Sequence, residues 1–196
     1  MTAPAALVTD TAPVLRGWGL DDRSYTVRLG AALMGVGLAW LTDRRAEVQG
    51  PVLVRHGRDI VGVRAILRAL ADDALHPGWA EPAAEGWEER AAVIGERFST
   101  LRRACLAAGR PETGSAAEAW TLLRPLEDRL AEQHEAGAAF LGGAHPAIAD
   151  LLAFPAAALS HDLRLPHDLV PATRRFIRTL RAWPGFLTMP GIAHYQ

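Results

Sequence analysis

The sequence contains no lysine and no asparagine, and all 21 of its basic residues are arginines. The missing lysine excludes Schiff-base catalysis and a phosphate-binding P-loop, since both need that side chain. The missing asparagine excludes N-linked glycosylation. These absences remove several large classes of enzyme and of secreted protein before any motif is considered.

Cysteine is almost as scarce, because Cys105 is the only one in the chain. One thiol cannot form an intrachain disulfide or a cysteine-rich metal site. Cys105 is either a nucleophile or a buried apolar side chain, and no activating neighbour in the sequence favours the nucleophile. The histidines lack metal-binding spacing, although His161 and His167 flank a loop with Asp162 and Asp168. We expect no metal and no other cofactor.

Strong net charge and long apolar runs are also missing. The net charge is −1 and the isoelectric point is about 6.7, with no basic stripe that would suit nucleic acid. The longest uncharged apolar run, residues 29–41, is too short to cross a bilayer and contains three glycines. The N-terminus has no basic segment followed by an apolar core, as a signal peptide would. We expect a cytoplasmic protein without a nucleic-acid or membrane partner.

The first part of the chain alternates strand and helix patterns. Residues 1–12 are rich in alanine, threonine and proline, which is typical of a loose arm. Residues 13–75 then predict strand, helix and strand, followed by a hairpin and an amphipathic helix. The predicted strands are 14–18, 37–41, 51–54 and 60–61, and the predicted helices are 24–34 and 63–74. Residues 42–50 leave room for about one helical turn.

The second part is helical throughout. Residues 76–85 carry two prolines and a glycine and predict a linker. Beyond it, residues 86–196 predict an all-helical domain with helices over 86–108, 115–136, 145–159 and 171–183. Pro146 suits the first turn of the third of these helices.

Four stretches resemble one family in the same order and spacing. They are "SYTVRLGAAL", "GPVLVRHGRDIVGVRAILRAL", "FLGGAHPAIADLLAFPAA" and "RRFIRTLRAWPGF". Together they resemble the glutathione S-transferase superfamily over about residues 13–190. The resemblance implies an α/β thioredoxin-like N-terminal domain followed by an all-α helical bundle domain. It also implies a homodimer and a cis peptide bond before Pro51.

Most of the residues that bind glutathione in that family are replaced by other residue types in this sequence. The catalytic hydroxyl or thiol of the family maps to the loop of residues 21–24, which reads Asp-Asp-Arg-Ser. An ionised aspartate about 5 Å from a thiolate would repel it by about 3 kcal/mol at an effective dielectric constant of about 20. Gly62 and Val63 replace the Glu-Ser pair that holds the γ-glutamyl end. Ala147 replaces the capping hydroxyl that partners Asp150.

These comparisons select the candidate site residues. Each aspartate of the loop is a candidate acid or base, or a cap of the following helix. The hydroxyls of Ser24 and Tyr25 are candidate donors. For Tyr25 we favour the other explanation, a half-buried aromatic side chain at the domain interface. The catalytic candidates are Asp21, Asp22, Ser24 and Tyr25.

The candidate substrate-binding residues surround the same loop or lie on the helix after the linker. Trp18 could stack on a flat ligand, and Arg90 and Arg97 share a helix face that could bind a carboxylate. A core or interface aromatic explains Trp18 equally well. For the arginines we favour a solvated helix face paired with glutamates. The full set is Trp18, Arg23, Pro51, Val63, Arg90 and Arg97.

The sequence therefore favours an enzyme on a glutathione S-transferase-like scaffold with a degenerate glutathione site. Isomerisation, dehydration, cyclisation or addition on a small organic substrate would suit a carboxylate loop beside a hydroxyl. One alternative is a non-catalytic module that binds a ligand or a protein. Another is a divergent transferase that uses glutathione or a different small thiol.

Overall fold

The computed structural model describes residues 12–79, 86–109 and 114–192. The predicted arm lies outside these ranges except for residue 12, and so do residues 80–85 of the predicted linker. Within the described part, the chain forms a mixed α/β domain followed by an all-helical domain, as the sequence predicts.

The first domain follows the predicted order of strands and helices. Its short second helix confirms that residues 42–50 hold only one turn. The strands are β1 (Val14–Gly17), β2 (Ala39–Thr42), β3 (Val52–Arg55) and β4 (Arg58–Val61). The helices are α1 (Asp22–Met34), α2 (Ala46–Gln49) and α3 (Val63–Ala71).

The four strands form one sheet in the order β2-β1-β3-β4. Strand β1 runs parallel to β2 and antiparallel to β3, and β3 pairs antiparallel with β4. In this register Leu15 lies opposite Leu53, and Leu53 lies opposite Ile60. Residues directly opposite share a face of the sheet, so these side chains form one apolar row, and Leu15 and Leu53 are fully buried in the core.

Gly50 sets the entry into β3 without a cis bond. No cis peptide bond occurs in the described residues, so the expectation for Pro51 is wrong. Gly50 instead takes φ 85°, which other residues rarely adopt, and this conformation turns the chain into the strand.

The second domain consists of α4 (Trp87–Ala107), α5 (Ser115–Glu135), α6 (Ile148–Ala158) and α7 (Pro171–Arg181). Every residue of α6 is buried, which makes it the central helix of the domain. Helix α4 packs closely against it, since a Cβ atom on Gly95 would lie 2.7 Å from the Leu152 carbonyl oxygen. This contact requires a glycine and fixes which face of α4 turns inward.

Asp150 determines where α6 begins. Its carboxylate accepts hydrogen bonds from the backbone N–H of Leu141 at 2.9 Å and of Ala147 at 2.8 Å. Ala147 is therefore the N-cap and the helix starts at Ile148. The prediction that Pro146 lies in the first turn is wrong, because the carboxylate bonds the chain at Ala147 and the helix begins after it.

Candidate active site

Asp21 ends the loop before α1 and caps that helix. Its carboxylate accepts hydrogen bonds from the Ser24 backbone N–H at 2.9 Å and from the Ser24 hydroxyl at 2.7 Å. The same hydroxyl accepts a hydrogen bond from the Trp18 N–H at 3.1 Å. Asp21 thus satisfies a backbone N–H that the start of α1 leaves open, and Ser24 satisfies the backbone N–H of Trp18 in the preceding loop; both residues are buried.

Arg23 fills the space between α1 and α2. Its Nε atom donates to Asp21 at 3.0 Å, and its Nη2 atom donates to the carbonyls of Ala46 and Glu47, each at 2.9 Å. A Cβ atom at Gly50 would approach Nη1 to 3.4 Å. The guanidinium therefore joins α1 to the end of α2, and Asp21 balances its charge.

Asp22 turns instead toward the second domain. The Ser99 hydroxyl donates to Asp22 Oδ2, and Arg102 Nη1 donates to Oδ1 at 3.4 Å. Burial raises the pKa of Asp22 above its ordinary value of 3.8, and the charge of Asp21 adds to this rise. The Ser99 hydrogen bond and the Arg102 charge lower the pKa and offset only part of it.

A cavity of about 330 Å³ opens beside Asp22, between α1, the start of α3, α4 and α6. Its size lies at the lower end of the range for small-molecule sites, about 300–1,000 Å³. Its apolar wall comes from both domains. The residues that line it are Asp22, Arg23, Thr26, Gly62, Val63, Arg64, Ala65, Ala92, Gly95, Glu96, Ser99, Leu152 and Pro155.

The first turn of α3 borders this cavity. The first hydrogen bond within the helix runs from Ile66 N–H to the Gly62 carbonyl at 3.0 Å. The preceding N–H groups, those of Val63, Arg64 and Ala65, therefore have no acceptor within the helix. They can donate to an acceptor atom of a bound molecule.

The overall architecture matches solved structures from several organisms. One is glutathione S-transferase unclassified 2 from Bombyx mori, with a TM-score of 0.72, 16% identity and coverage of 89% of this chain and 90% of that chain. Another is a glutathione S-transferase from Pseudomonas fluorescens, with a TM-score of 0.69, 18% identity and coverage of 92% and 100%. The chain has the glutathione S-transferase fold.

A third structure is maleylacetoacetate isomerase from Anaeromyxobacter dehalogenans, with dicarboxyethyl glutathione and citrate bound in its active site. Its TM-score is 0.63 and its identity is 20%, over 87% of this chain and 87% of that one. No model of a known protein family and no curated protein matches the sequence. The likeness therefore lies in the fold, and identities this low do not carry an activity.

Some of the residues that the resemblance places at a glutathione site line this cavity. Asp22 and Arg23 line the cavity from α1, and Val63 lines it from α3 without a hydroxyl. Pro51 is buried at the start of β3 and lies outside the lining. The cavity thus includes only part of the set of positions that the resemblance assigns to glutathione.

Tyr25 and Trp18 point elsewhere. The Tyr25 hydroxyl donates to the Leu187 carbonyl oxygen at 2.6 Å, and burial raises the pKa of this phenol. The Trp18 ring packs against the Arg44 guanidinium, 5.0 Å from the ring centroid. Neither side chain lines the cavity. Tyr25 joins α1 to the segment after α7, and Trp18 covers the loop from outside.

Arg90 and Arg97 share a face of α4, as predicted, but that face lies on another groove. This groove, of about 1,200 Å³, runs between α4 and α5. Arg90 also packs over the Trp87 ring at 5.5 Å. Both arginines are exposed, and neither lines the cavity beside Asp22.

Two further groups of candidate residues lie away from the cavity. Cys105 is buried, with its sulfur 3.5 Å from the Ser115 hydroxyl. The rings of His161 and His167 pack edge to face with centroids 5.7 Å apart. His167 Nε2 lies 2.9 Å from the Ala157 carbonyl oxygen, and burial lowers the pKa of this imidazole.

Several residues of the site were not predicted from the sequence. Ser99 and Arg102 contact Asp22 from positions 77 and 80 residues further along the chain. Arg64 lines the cavity and donates to Glu88 at 2.9 Å, which joins α3 to α4. A serine or an arginine on an otherwise ordinary amphipathic helix gives no local signal of such a role.

Proposed function

We propose that this protein is an enzyme that acts on a small organic molecule by proton transfer at Asp22. Isomerisation, dehydration, cyclisation and addition are the reaction types that such a group serves. The observation that carries the proposal is a buried carboxyl on the wall of a small cavity between two domains. Burial raises the pKa of Asp22, so the group keeps its proton closer to neutrality, as a general acid needs.

Ordinary glutathione chemistry is disfavoured by the charges around the cavity. A thiol needs positive charge or hydrogen-bond donors to ionise. Arg23 is already paired with Asp21 and two carbonyls, and Arg64 is paired with Glu88. The raised pKa of Asp22 favours its neutral form, so this residue supplies no positive charge that would stabilise a thiolate. We therefore propose a reaction that does not require glutathione.

A divergent thiol transferase is the second candidate, and one observation favours it. The open N–H groups at the start of α3 border the cavity, and they suit an anionic ligand group. The isomerase from Anaeromyxobacter dehalogenans holds a glutathione derivative in its active site. Calorimetry with glutathione separates the candidates, because only a thiol transferase needs to bind it. A dissociation constant of about 1 mM would correspond to a binding free energy of about −4 kcal/mol. We expect no heat.

A non-catalytic ligand-binding or interaction module is the third candidate. It is favoured by the fact that Asp21, Arg23, Ser24 and Tyr25 all have partners within the chain. A module of this kind would bind a small molecule without moving protons, and that difference can be measured.

The test is solvent deuterium exchange into a panel of small enolisable ketones and unsaturated acids, followed by proton NMR. We expect the wild-type protein to label at least one compound at a carbon-bound position. The isosteric Asp22→Asn change should reduce that rate by about 10²-fold or more, since it removes the proton carrier.

Asp128→Asn is the matched control, because Asp128 is exposed and its ion pair is with Arg124 on the same helix. It should label at the wild-type rate. Equal labelling by wild type and Asp22→Asn would rule out Asp22 as the proton carrier. Binding of a panel compound without any labelling would favour the module.

We also propose a homodimer formed through the groove between α4 and α5. Val93 is 46% exposed there, and Leu101 and Leu122 are partly buried beside it. Arg97 and Glu118 supply opposite charges on the same groove, which suits contact with a second copy of the same surface. Sedimentation should show a dimer that Val93→Glu weakens. A wild-type monomer at about 10–100 µM would contradict this proposal.

In the ranges 12–79, 86–109 and 114–192, no helix combines the length and apolar character needed to cross a bilayer. A cytoplasmic location stays a prediction from the sequence.

A further inference from the structure

Asp22 is held by residues of the other domain. Its backbone belongs to α1, whereas Ser99 and Arg102, which contact its carboxyl, lie one turn apart on α4. All three side chains are buried, with exposed fractions of 2%, 2% and 6%. The carboxyl orientation therefore depends on the docking of α4 against α1.

Ser99 is suited to follow a change in protonation. A hydroxyl donates to an ionised carboxylate and can accept from a protonated one without moving its oxygen. Thr26, the other hydroxyl on the cavity wall, instead donates to the Asp22 backbone carbonyl at 2.9 Å. Ser99 alone among the described hydroxyl groups contacts the Asp22 carboxyl.

Arg102 also forms an ion pair with a second acidic residue, Asp162. Its Nε atom donates to Asp162 at 2.7 Å, while its contact with Asp22 Oδ1 is longer, at 3.4 Å. Its Nη1 atom also lies 3.4 Å from the Leu20 carbonyl oxygen. The Arg102 guanidinium therefore interacts with both acids, and its closer contact is with Asp162.

The other charged groups around Asp22 form no hydrogen bond with its carboxyl in the described part of the chain. On α1, Asp21 and Arg23 pair with each other. On α3, Arg64 pairs with Glu88 and Glu89. Glu96 lines the same cavity from α4. The direct partners of the carboxyl are thus the two residues on α4.

We propose that Ser99 and Arg102 are positioning residues that orient the Asp22 carboxyl and its proton within the cavity. This inference rests on the proposed role of Asp22 and adds a condition to it. The Asp22 carboxyl in the first domain is oriented by side chains of the second domain. Asp162 competes with Asp22 for the Arg102 guanidinium and so weakens the effect of that charge on Asp22.

The test is the titration of the Asp22 side-chain carboxyl, followed by carbon-13 NMR of aspartate-labelled protein. Asp22→Asn identifies the signal by removing it. Ser99→Ala removes a hydrogen bond that favours the ionised form, so the midpoint should rise by about one pH unit. Ser99→Thr keeps the hydroxyl and should return the midpoint toward the wild-type value.

Asp162→Asn gives a shift of opposite sign. Without the competing acid, the Arg102 charge acts more fully on Asp22, and a nearby negative charge is lost as well. The midpoint should fall by about half a pH unit or more. Asp162 is partly exposed, so this variant tests the inference even if Ser99→Ala does not fold.

Ser115→Ala is the matched control, since it removes a buried hydroxyl whose neighbour is Cys105. It should leave the midpoint unchanged. Midpoints that stay within about 0.2 pH unit in both Ser99→Ala and Asp162→Asn would overturn the inference. Shifts of the same sign would overturn it too.

This titration needs no substrate, so it is independent of the deuterium-exchange test. Opposite shifts with unchanged labelling by Asp22→Asn would leave the positioning intact and reject the proposed catalysis. Unshifted midpoints with lost labelling would keep Asp22 as the proton carrier and reject its control by α4.

Discussion

The start of α1 and the start of α6 each place aspartate carboxylates in a buried setting, and they use them differently. At α6, both oxygens of Asp150 accept backbone N–H groups. At α1, Asp21 does similar work with Ser24, whereas Asp22 contacts side chains of the other domain and borders a cavity. A carboxylate whose oxygens both accept backbone N–H groups stabilises the fold. A carboxyl that contacts side chains and borders a cavity can also contact a substrate.

The pKa alone does not separate these two roles. Burial raises the pKa of Asp150 to about 7, and burial also raises that of Asp22. For Asp150 the opposing contributions come from backbone N–H groups, and for Asp22 they come mainly from Ser99 and Arg102. The identity of the partners, together with the cavity, distinguishes a structural carboxyl from a candidate catalytic one.

The largest effect should come from Asp150→Ala. It leaves the Leu141 and Ala147 N–H groups without their acceptor, and each unpaired buried donor is costly, so the free energy of unfolding should fall by about 3 kcal/mol. Urea denaturation measures this fall. Asp128→Ala, on an exposed helix face, should lose less than about 0.5 kcal/mol. A loss below about 1 kcal/mol in Asp150→Ala would reject the structural role.

A smaller loss is expected for Asp21→Ala. The change removes the cap of α1 and the carboxylate that pairs with Arg23, but the guanidinium keeps two carbonyl acceptors. The free energy of unfolding should fall by about 2 kcal/mol. Asp43→Ala serves as control, because Asp43 forms its ion pair with exposed Arg45. If Asp21→Ala kept wild-type stability but lost deuterium labelling, Asp21 would belong to the active site.

The elements of the fold were predictable because each depends on a local pattern. Apolar residues at helical spacing gave α3, and an apolar β-branched run before a His-Gly turn gave the β3–β4 hairpin. The start of α6 was misplaced at Pro146, because the deciding hydrogen bond from Ala147 depends on how the loop before the helix folds.

The site was less predictable, because adjacency in sequence does not show which way a side chain turns. Asp21 and Asp22 look equivalent in the sequence, but Asp21 caps α1 and pairs with Arg23, whereas Asp22 contacts α4. The spacing of Arg90 and Arg97 gave their shared face correctly. The contact of Gly95 with Leu152 rotates that face onto the other groove, and no local pattern carries this information.

Tyr25→Phe should separate the structural and catalytic explanations of that residue. Loss of the 2.6 Å hydrogen bond to Leu187 should lower the free energy of unfolding by about 1 kcal/mol. The ring stays in the core, so helix content and deuterium labelling should match the wild type. Chemical denaturation and the labelling assay together check this. Labelling reduced by about 10²-fold would return Tyr25 to the list of catalytic groups.

The smallest change in stability, and the one with a diagnostic sign, is expected for Asp22→Asn. The folded protein keeps the Asp22 proton to higher pH than the unfolded chain, whose pKa is near 3.8. Above that value the folded state holds more protons, so the free energy of unfolding of the wild type falls as pH rises through the folded pKa. The amide introduced by the substitution cannot ionise, and its contribution stays constant.

The wild type should therefore lose stability relative to Asp22→Asn as pH increases from about 4, until the folded carboxyl has ionised and the difference levels off. Urea denaturation of both proteins across about pH 4–8 measures this, with exposed Asp128→Asn as the flat control. A difference that grows in favour of the wild type as pH rises would mean that Ser99 and Arg102 outweigh burial. Asp22 would then be a structural residue, and the contrast between the two neighbours would disappear.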